Sequence, residues 1–144
     1  MKASSPDLGT IATDLHAVAI RLLRQVRQED DALGLTSARL SALSVLVFGG
    51  CKTLGELARV EQVSLPTMTR IAAALTKAGY VKRFADPDDH RFVYLEATRR
   101  GSALLDEGRR RRVARLSTLL ADLTSRELST CEDALAALRR VVGA

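Results

Sequence analysis

Tryptophan is absent from this 144-residue chain, and aromatic residues make up only 3% of it. A protein that grips single-stranded nucleic acid by stacking successive bases needs more aromatic surface than that. Cysteine occurs twice, at Cys51 and Cys131, far apart and without Cys-x-x-Cys spacing. That pattern argues against a zinc site and a disulfide framework, and both thiols are expected to be buried as small apolar groups. The two histidines, His16 and His90, are not placed as metal ligands, so neither metal nor cofactor is expected. No apolar run approaches the ~20 residues of a bilayer span. Met1–Asp7 has no hydrophobic stretch behind Lys2, which argues against a secretory signal and leaves the cytoplasm as the expected compartment. A Ser/His/Asp set, a phosphate loop and a paired-carboxylate motif are missing as well. No catalytic residue is therefore assigned, and an enzyme is not expected.

What is present is one ordinary globular domain's worth of sequence, 47% hydrophobic and 27% charged. Net charge is +5, and its distribution says more than its size. Residues 1–62 hold seven basic and seven acidic side chains, residues 63–115 hold twelve and six, and residues 116–144 hold three and four. The excess lies in the middle third, where it favours a polyanion through steering and counterion release. No helix there carries bulky apolar residues free to insert into a bilayer, so no membrane partner is expected.

Ser5-Pro6-Asp7 reads as a helix start with Ser5 as cap. Leu8, Ile11, Leu15, Val18 and Leu22 then recur every three or four residues, predicting a first helix to about Arg27, ended by Glu29-Asp30-Asp31 and Gly34. Thr36 caps a second helix through Leu40, Leu43, Leu46 and Phe48, stopped by Gly49-Gly50. Thr53-Leu54-Gly55-Glu56 is a capping box that opens a short third helix with Leu54, Leu57, Ala58 and Val60 inward. The tight connection Glu61-Gln62-Val63 leads to Ser64, which caps a fourth helix with Pro66 in its first turn. On that helix Met68, Ile71, Ala72 and Leu75 share one apolar face, and Pro66, Thr67, Arg70 and Ala74 the opposite one. A helix, a short turn and a helix with a small, polar, cationic outer face form a helix-turn-helix arrangement. Short side chains let such a helix approach base edges in a major groove, and arginine can pair with guanine O6 and N7.

After Lys77-Ala78-Gly79 the runs Tyr80–Phe84 and Phe92–Ala97 predict a β-hairpin, with the charged turn segment Ala85–Arg91 as its tip. Val93, Leu95 and Ala97 should face inward, with Phe92, Tyr94 and Glu96 on the other side. Thr98 starts a long helix with Arg99 and Arg100 in its first turn, both suited to phosphates. Arg109-Arg110-Arg111-Arg112 point in four directions on that helix, so solvated faces and inter-helix ion pairs are expected of them. Thr124-Ser125-Arg126-Glu127 is a second capping box, and the last helix carries Leu128, Cys131, Leu135, Leu138 and Val142.

Leu54-Gly55-Glu56-Leu57-Ala58, Val63-Ser64-x-Pro66-Thr67-Met68-Thr69-Arg70, Gly79-Tyr80-Val81-x-Arg83, Asp86-Pro87-x-Asp89-x-Arg91 and Thr98-x-x-Gly101 follow one another in order. Together they resemble the MarR family of transcription regulators over about residues 35–105. The resemblance implies a mainly α fold with a small β-hairpin wing, a winged helix-turn-helix with amino- and carboxy-terminal dimerisation helices. The division is then 1–34 for the first dimerisation helix, 35–97 for the DNA-binding lobe and 98–144 for the last helices, in one structural domain. It also implies a homodimer on a pseudo-palindromic double-stranded operator, usually as a repressor.

Carried over by position, Ser64, Pro66, Thr67, Thr69 and Arg70 would lie at the major groove, with Arg70 as the main contact. Arg91 would enter the adjacent minor groove, oriented by a salt bridge to Asp89. His90 stands where the family often has a basic residue, and Ala97 where a leucine is usual. The apolar stripes of the first and last helices exceed a monomer's needs, so Leu8, Ile11, Leu15, Leu128, Leu135 and Leu138 are expected at the dimer interface. A small phenolic or anionic effector is also implied; the residues name no pocket, although His16, Arg24 and Phe48 lie on helices able to line one. Three alternatives stay open: a winged-helix protein-interaction module, a redox-sensing regulator acting through Cys51, and a single-strand binder stacking bases on Phe92 and Tyr94.

Overall fold

The computed structural model describes residues 7–143. Its elements are α1 (Leu8–Asp31), α2 (Ser37–Gly49), β1 (Lys52–Thr53), α3 (Leu54–Val60), α4 (Leu65–Lys77), β2 (Val81–Ala85), β3 (Val93–Ala97), α5 (Arg99–Leu120) and α6 (Ser125–Val142). Side-chain caps set most of the helix starts. Thr36, Thr53, Ser64, Thr98 and Thr124 each accept an amide of the following first turn, and Thr53–Glu56 and Thr124–Glu127 close full capping boxes.

The first helix departs from expectation at both ends. Its cap is Asp7, whose carboxylate accepts the amides of Gly9 and Thr10; Ser5 and Pro6 lie outside the described residues. It also continues past Arg27 to Asp31. Acidic residues at a helix carboxy terminus oppose the dipole, but Asp30 is held there by an ion pair with Arg112 of α5. Gly34, at φ +73°, then turns the chain.

The core lies within the middle of the chain. Leu43, Leu57, Met68, Leu75 and Leu95 are fully buried, drawn from α2, α3, α4 and β3, and Val81 and Leu105 join them. Truncating one of the buried leucines to alanine costs about 2–5 kcal/mol. Val60, expected inward, is exposed on the last turn of α3. The sheet is antiparallel in the order β1-β3-β2, with Lys52 opposite Leu95, Thr53 opposite Tyr94 and Arg83 opposite Leu95. Of the three side chains expected inward on β3, Leu95 is buried and Ala97 half-buried, while Val93 is exposed because it lies beyond the edge of the core.

The base of the hairpin is pinned to α5. The Thr98 amide donates to the Tyr80 carbonyl at 2.9 Å, and its hydroxyl donates to the Gly79 carbonyl at 2.7 Å. Along the other end of α5, Arg112 pairs with Asp30 and Arg115 donates to Gln25 at 2.7 Å, tying α5 to α1. Of the arginine run, Arg112 makes the expected inter-helix pair with Asp30, whereas Arg110 and Arg111 converge on Glu107 of their own helix. Neither α1 nor α6 has a buried residue. Among the described residues no helix is long and apolar enough to cross a membrane.

Candidate nucleic-acid interface

The turn between α3 and α4 is closed by backbone bonds from Gln62 to the Arg59 carbonyl (3.2 Å) and from Val63 to the Ala58 carbonyl (3.0 Å). Gln62 adopts φ +54°, the left-handed region, and Glu61 is anchored by the Ser41 hydroxyl at 3.0 Å. Ser64 then caps α4, and its hydroxyl also bonds that of Thr67 at 2.9 Å. Two hydroxyls sharing one hydrogen bond retain a proton and free lone pairs for a further partner.

Met68, Ala72 and Leu75 bury one face of α4, and Ile71 packs against the same core. Pro66, Thr67 and Arg70 are exposed on the other. Ala74, expected beside them, is half-buried, and Ala73 takes the outer position instead. At 100° per residue Ala73 lies only 20° from Pro66 whereas Ala74 lies 80° away, so the outermost line runs Pro66, Arg70, Ala73, Lys77. Counting turns rather than the even i+4 step would have found Ala73 and Lys77. Arg70, Lys77 and Arg99 form no ion pair among the described residues, so their charge is uncompensated. Thr69 is exposed, but its hydroxyl donates to the Leu65 carbonyl at 2.8 Å.

The wing tip is built by its own polar groups. Asp86 accepts the amides of Asp88 (2.8 Å) and Asp89 (3.2 Å), while its own amide donates to the Phe92 carbonyl at 2.9 Å. Asp89 receives Arg91 through Nε at 2.9 Å and Nη2 at 2.7 Å, and the Arg91 amide at 3.1 Å. The Arg91 guanidinium bonds hold the Asp89 carboxyl below its ordinary range, the Arg91 amide adds to this, and the same contact raises the arginine. With the Arg91 side chain 86% exposed, the pair adds little to stability; it fixes the plane of a cation at the tip. His90 is exposed beside it.

Two aromatic placements differ from expectation. Tyr94 stacks on Phe84 with ring centroids 5.8 Å apart, so that face of Tyr94 is already occupied. Phe92 precedes β3 and escapes the strand's alternation; it lines a depression of about 290 Å³ with Leu65, Thr69, Arg91 and Val93. This depression brings Thr69 and Arg91 together across α4 and the wing. Arg99 is exposed, and Arg100 lies over the Tyr80 ring at 5.2 Å.

The residues considered for an effector do not converge. His16 is exposed on α1, Arg24 lines a shallow cleft with Ile20, Leu23 and Arg27, and Phe48 lines a separate one of about 140 Å³ with Ser44, Leu105, Asp106, Arg109 and Arg112. Cys51 is exposed rather than buried, because the Gly49-Gly50 break puts it on the surface ahead of β1; Cys131 is half-buried. Leu8, Ile11, Leu15, Leu128 and Leu135 are exposed, Leu8 to 79%, and Leu138 is half-buried.

A model of the MarR family matches residues 35–93. The chain is 37% identical over 117 residues to the uncharacterized HTH-type transcriptional regulator Mb0904 of Mycobacterium bovis, covering 81% of this chain and 82% of that protein. It is 30% identical over 121 residues to the multiple antibiotic resistance protein MarR of Salmonella typhimurium, covering 78% of this chain and 84% of that one. Its fold matches the crystal structure of the transcriptional regulator Tm0710 from Thermotoga maritima with a TM-score of 0.82 and 27% identity, over 94% of this chain and 95% of the other. With its winged helix-turn-helix and flanking helices, the chain belongs to the MarR family of DNA-binding transcriptional regulators.

Proposed function

We propose that the chain is a homodimeric repressor that holds a pseudo-palindromic duplex operator and is released by a small anionic or phenolic effector. The observation that carries the DNA reading is the outer line of α4: uncompensated Arg70 and Lys77 on a helix whose other face is wholly given to the core. In this reading Ser64, Pro66, Thr67, Thr69 and Arg70 meet the major groove, with Arg70 on a guanine edge or a phosphate. Arg91 enters the neighbouring minor groove, where negative potential is focused, with Asp89 setting its plane. His90 and Arg99 lie against phosphates.

Dimerisation is supported by surface area. The chain exposes 10776 Å², against ~7,200 Å² expected for a compact monomer of its mass. The apolar side chains left exposed on α1 and α6 include Leu8, Ile11, Leu15, Leu128 and Leu135, and Leu138 extends the α6 stripe. Segments 1–34 and 98–144 would then pair two copies of the 35–97 lobe, setting recognition helices ~34 Å apart for successive major grooves. The cleft of Phe48, Arg109 and Arg112 offers an aromatic face and the Arg109 cation to an anionic effector, with Asp106 also lining it and Arg112 already paired with Asp30. A ligand that prefers the other lobe spacing lowers operator affinity by linkage.

The test is binding of the purified chain to a random-sequence duplex pool and to its own upstream region, over a salt series. Arg70, Lys77, Arg91 and Arg99, four cations per protomer, predict a log–log salt slope of about −7 for a dimer, and a specific duplex should win by ~10³ or more. Affinity independent of salt, or no binding at low ionic strength, refutes the reading.

A further inference from the structure

We infer that Leu65 and Thr69 form a reader for the thymine 5-methyl group, an inference that rests on the duplex-binding reading above. Leu65 is the first residue of α4 and is 53% exposed, with Ser64 and Thr67 as polar neighbours in the same turn. The first turn is rigid: Ser64 caps it and Pro66 fixes its own φ, so the Leu65 side chain leaves the helix in a set direction. That direction is toward the wing, where Leu65, Thr69, Phe92 and Val93 line one depression. Phe92 is 51% exposed across it.

Thr69 completes this wall in an unexpected way. Its hydroxyl donates its only proton to the Leu65 carbonyl at 2.8 Å, so it keeps no donor and presents its oxygen lone pairs and its methyl. Leucine has no donor or acceptor at all. These two side chains, one helical turn apart near the amino end of the recognition helix, therefore offer no donor to the acceptor groups of a base pair, and the surface they share is an apolar one. The major groove displays one apolar feature, the methyl at C5 of thymine, and the first residues of a recognition helix are those that reach base edges. Arg91 lines the same depression and Arg70 follows Thr69 on α4, so cations flank the wall.

The experiment enriches duplexes from a random pool with the full-length chain, then resynthesises the winner with each thymine replaced in turn by deoxyuridine. That exchange removes only the methyl and leaves O4 and base pairing intact. Affinity is measured by fluorescence anisotropy for the parent and for Leu65→Ala, Thr69→Val and Thr69→Ser. Burying one methyl corresponds to about fourfold in affinity. At one thymine per half-site, deoxyuridine should weaken the parent about fourfold and leave Leu65→Ala indifferent. Thr69→Val, which keeps the methyl and loses the hydroxyl, should discriminate as the parent does, and Thr69→Ser should discriminate less. A parent blind to deoxyuridine at every thymine overturns the inference, as does discrimination that survives Leu65→Ala or follows the hydroxyl at position 69. A pool from which nothing is enriched instead removes the duplex-binding reading, and this inference with it.

Discussion

Gly101 offers a test of how α5 sits on the hairpin base. A Cβ added there would lie 2.3 Å from the Tyr80 carbonyl oxygen and 3.0 Å from Cδ1 of the fully buried Leu43. The first contact is with backbone that also accepts the Thr98 amide, so it cannot rotate away as a flexible side chain would. Overpacking of this kind costs about 1–3 kcal/mol, and the upper half of that range applies because both neighbours are fixed. Alanine returns up to ~1 kcal/mol through helix propensity, leaving a net loss of about 2 kcal/mol for Gly101→Ala. For a chain of this length that lowers Tm by about 4–8 °C. Gly55, also in a helix's first turn, has nothing within 4 Å of its would-be Cβ. Gly55→Ala should therefore raise Tm by ~1–4 °C through propensity alone. Thermal unfolding followed by circular dichroism, at one protomer concentration because a dimer's Tm depends on it, compares the pair. Equal shifts, or an unchanged Gly101→Ala, would mean that α5 does not seat against Tyr80.

Arg70→Ala should cost about 1–3 kcal/mol of operator affinity and relax the preference at one base pair per half-site, read by anisotropy on single-substitution duplexes. Arg91→Ala should weaken A/T-flanked sites more than G/C-flanked ones, since the narrow minor groove supplies the attraction; equal loss on both would count against the wing assignment. Light scattering should give twice the 15.6 kDa chain mass at micromolar concentration, and Ile11→Asp with Leu135→Asp should return it toward one. Asp89, lowered chiefly by the Arg91 guanidinium, and Glu56 and Glu127, lowered chiefly by the Thr53 and Thr124 amides, set an acid limit. Their contributions are complete above the ordinary carboxylate values of ~4 and are lost as pH falls through the lowered ones. A stability curve from pH 7 to 2 should be flat near neutrality with respect to these groups, and Glu127→Gln should reduce its acid slope.

The parts of the fold legible in the sequence are those specified over a few residues. Thr36, Thr53, Ser64, Thr98 and Thr124 cap helices by accepting amides three positions on, so the signal and the structure share one window. The Asp89–Arg91 fork is just as local, yet it is the family resemblance and not local spacing that gives it a role. What spacing alone does not carry is decided by distant partners. Asp30 stays helical because Arg112 meets it, and β1, two residues long, exists only by pairing with Leu95 and Tyr94. Val93 follows the inward alternation yet is exposed, because alternation gives a side and not the extent of the core. The wing-facing depression joins Leu65 to Phe92 across 27 positions, a juxtaposition that no local pattern contains.

The placement of the core also constrains how any signal must travel. Among the described residues every buried apolar side chain lies between Leu35 and Leu105, whereas α1 and α6 bury none. Two fastenings meet on α5: Thr98 holds its start to Gly79 and Tyr80, and Arg112 and Arg115 hold its middle to α1. In the proposed dimer, a change in the angle between the two α1 helices would therefore reach the wing as a displacement of α5 as a whole. The cleft of Phe48 and Arg109 lies between α2 and α5, so a ligand wedged there acts on the joint itself rather than on the DNA-facing residues. To take the lobe spacing from 99:1 in favour of binding to the reverse, such a ligand needs a preference of ~5.5 kcal/mol between the two arrangements. An ion pair to Arg109 that exists in only one of them would supply part of that difference, whereas one to Arg112 would first have to displace Asp30 and would unfasten α5 from α1 in doing so.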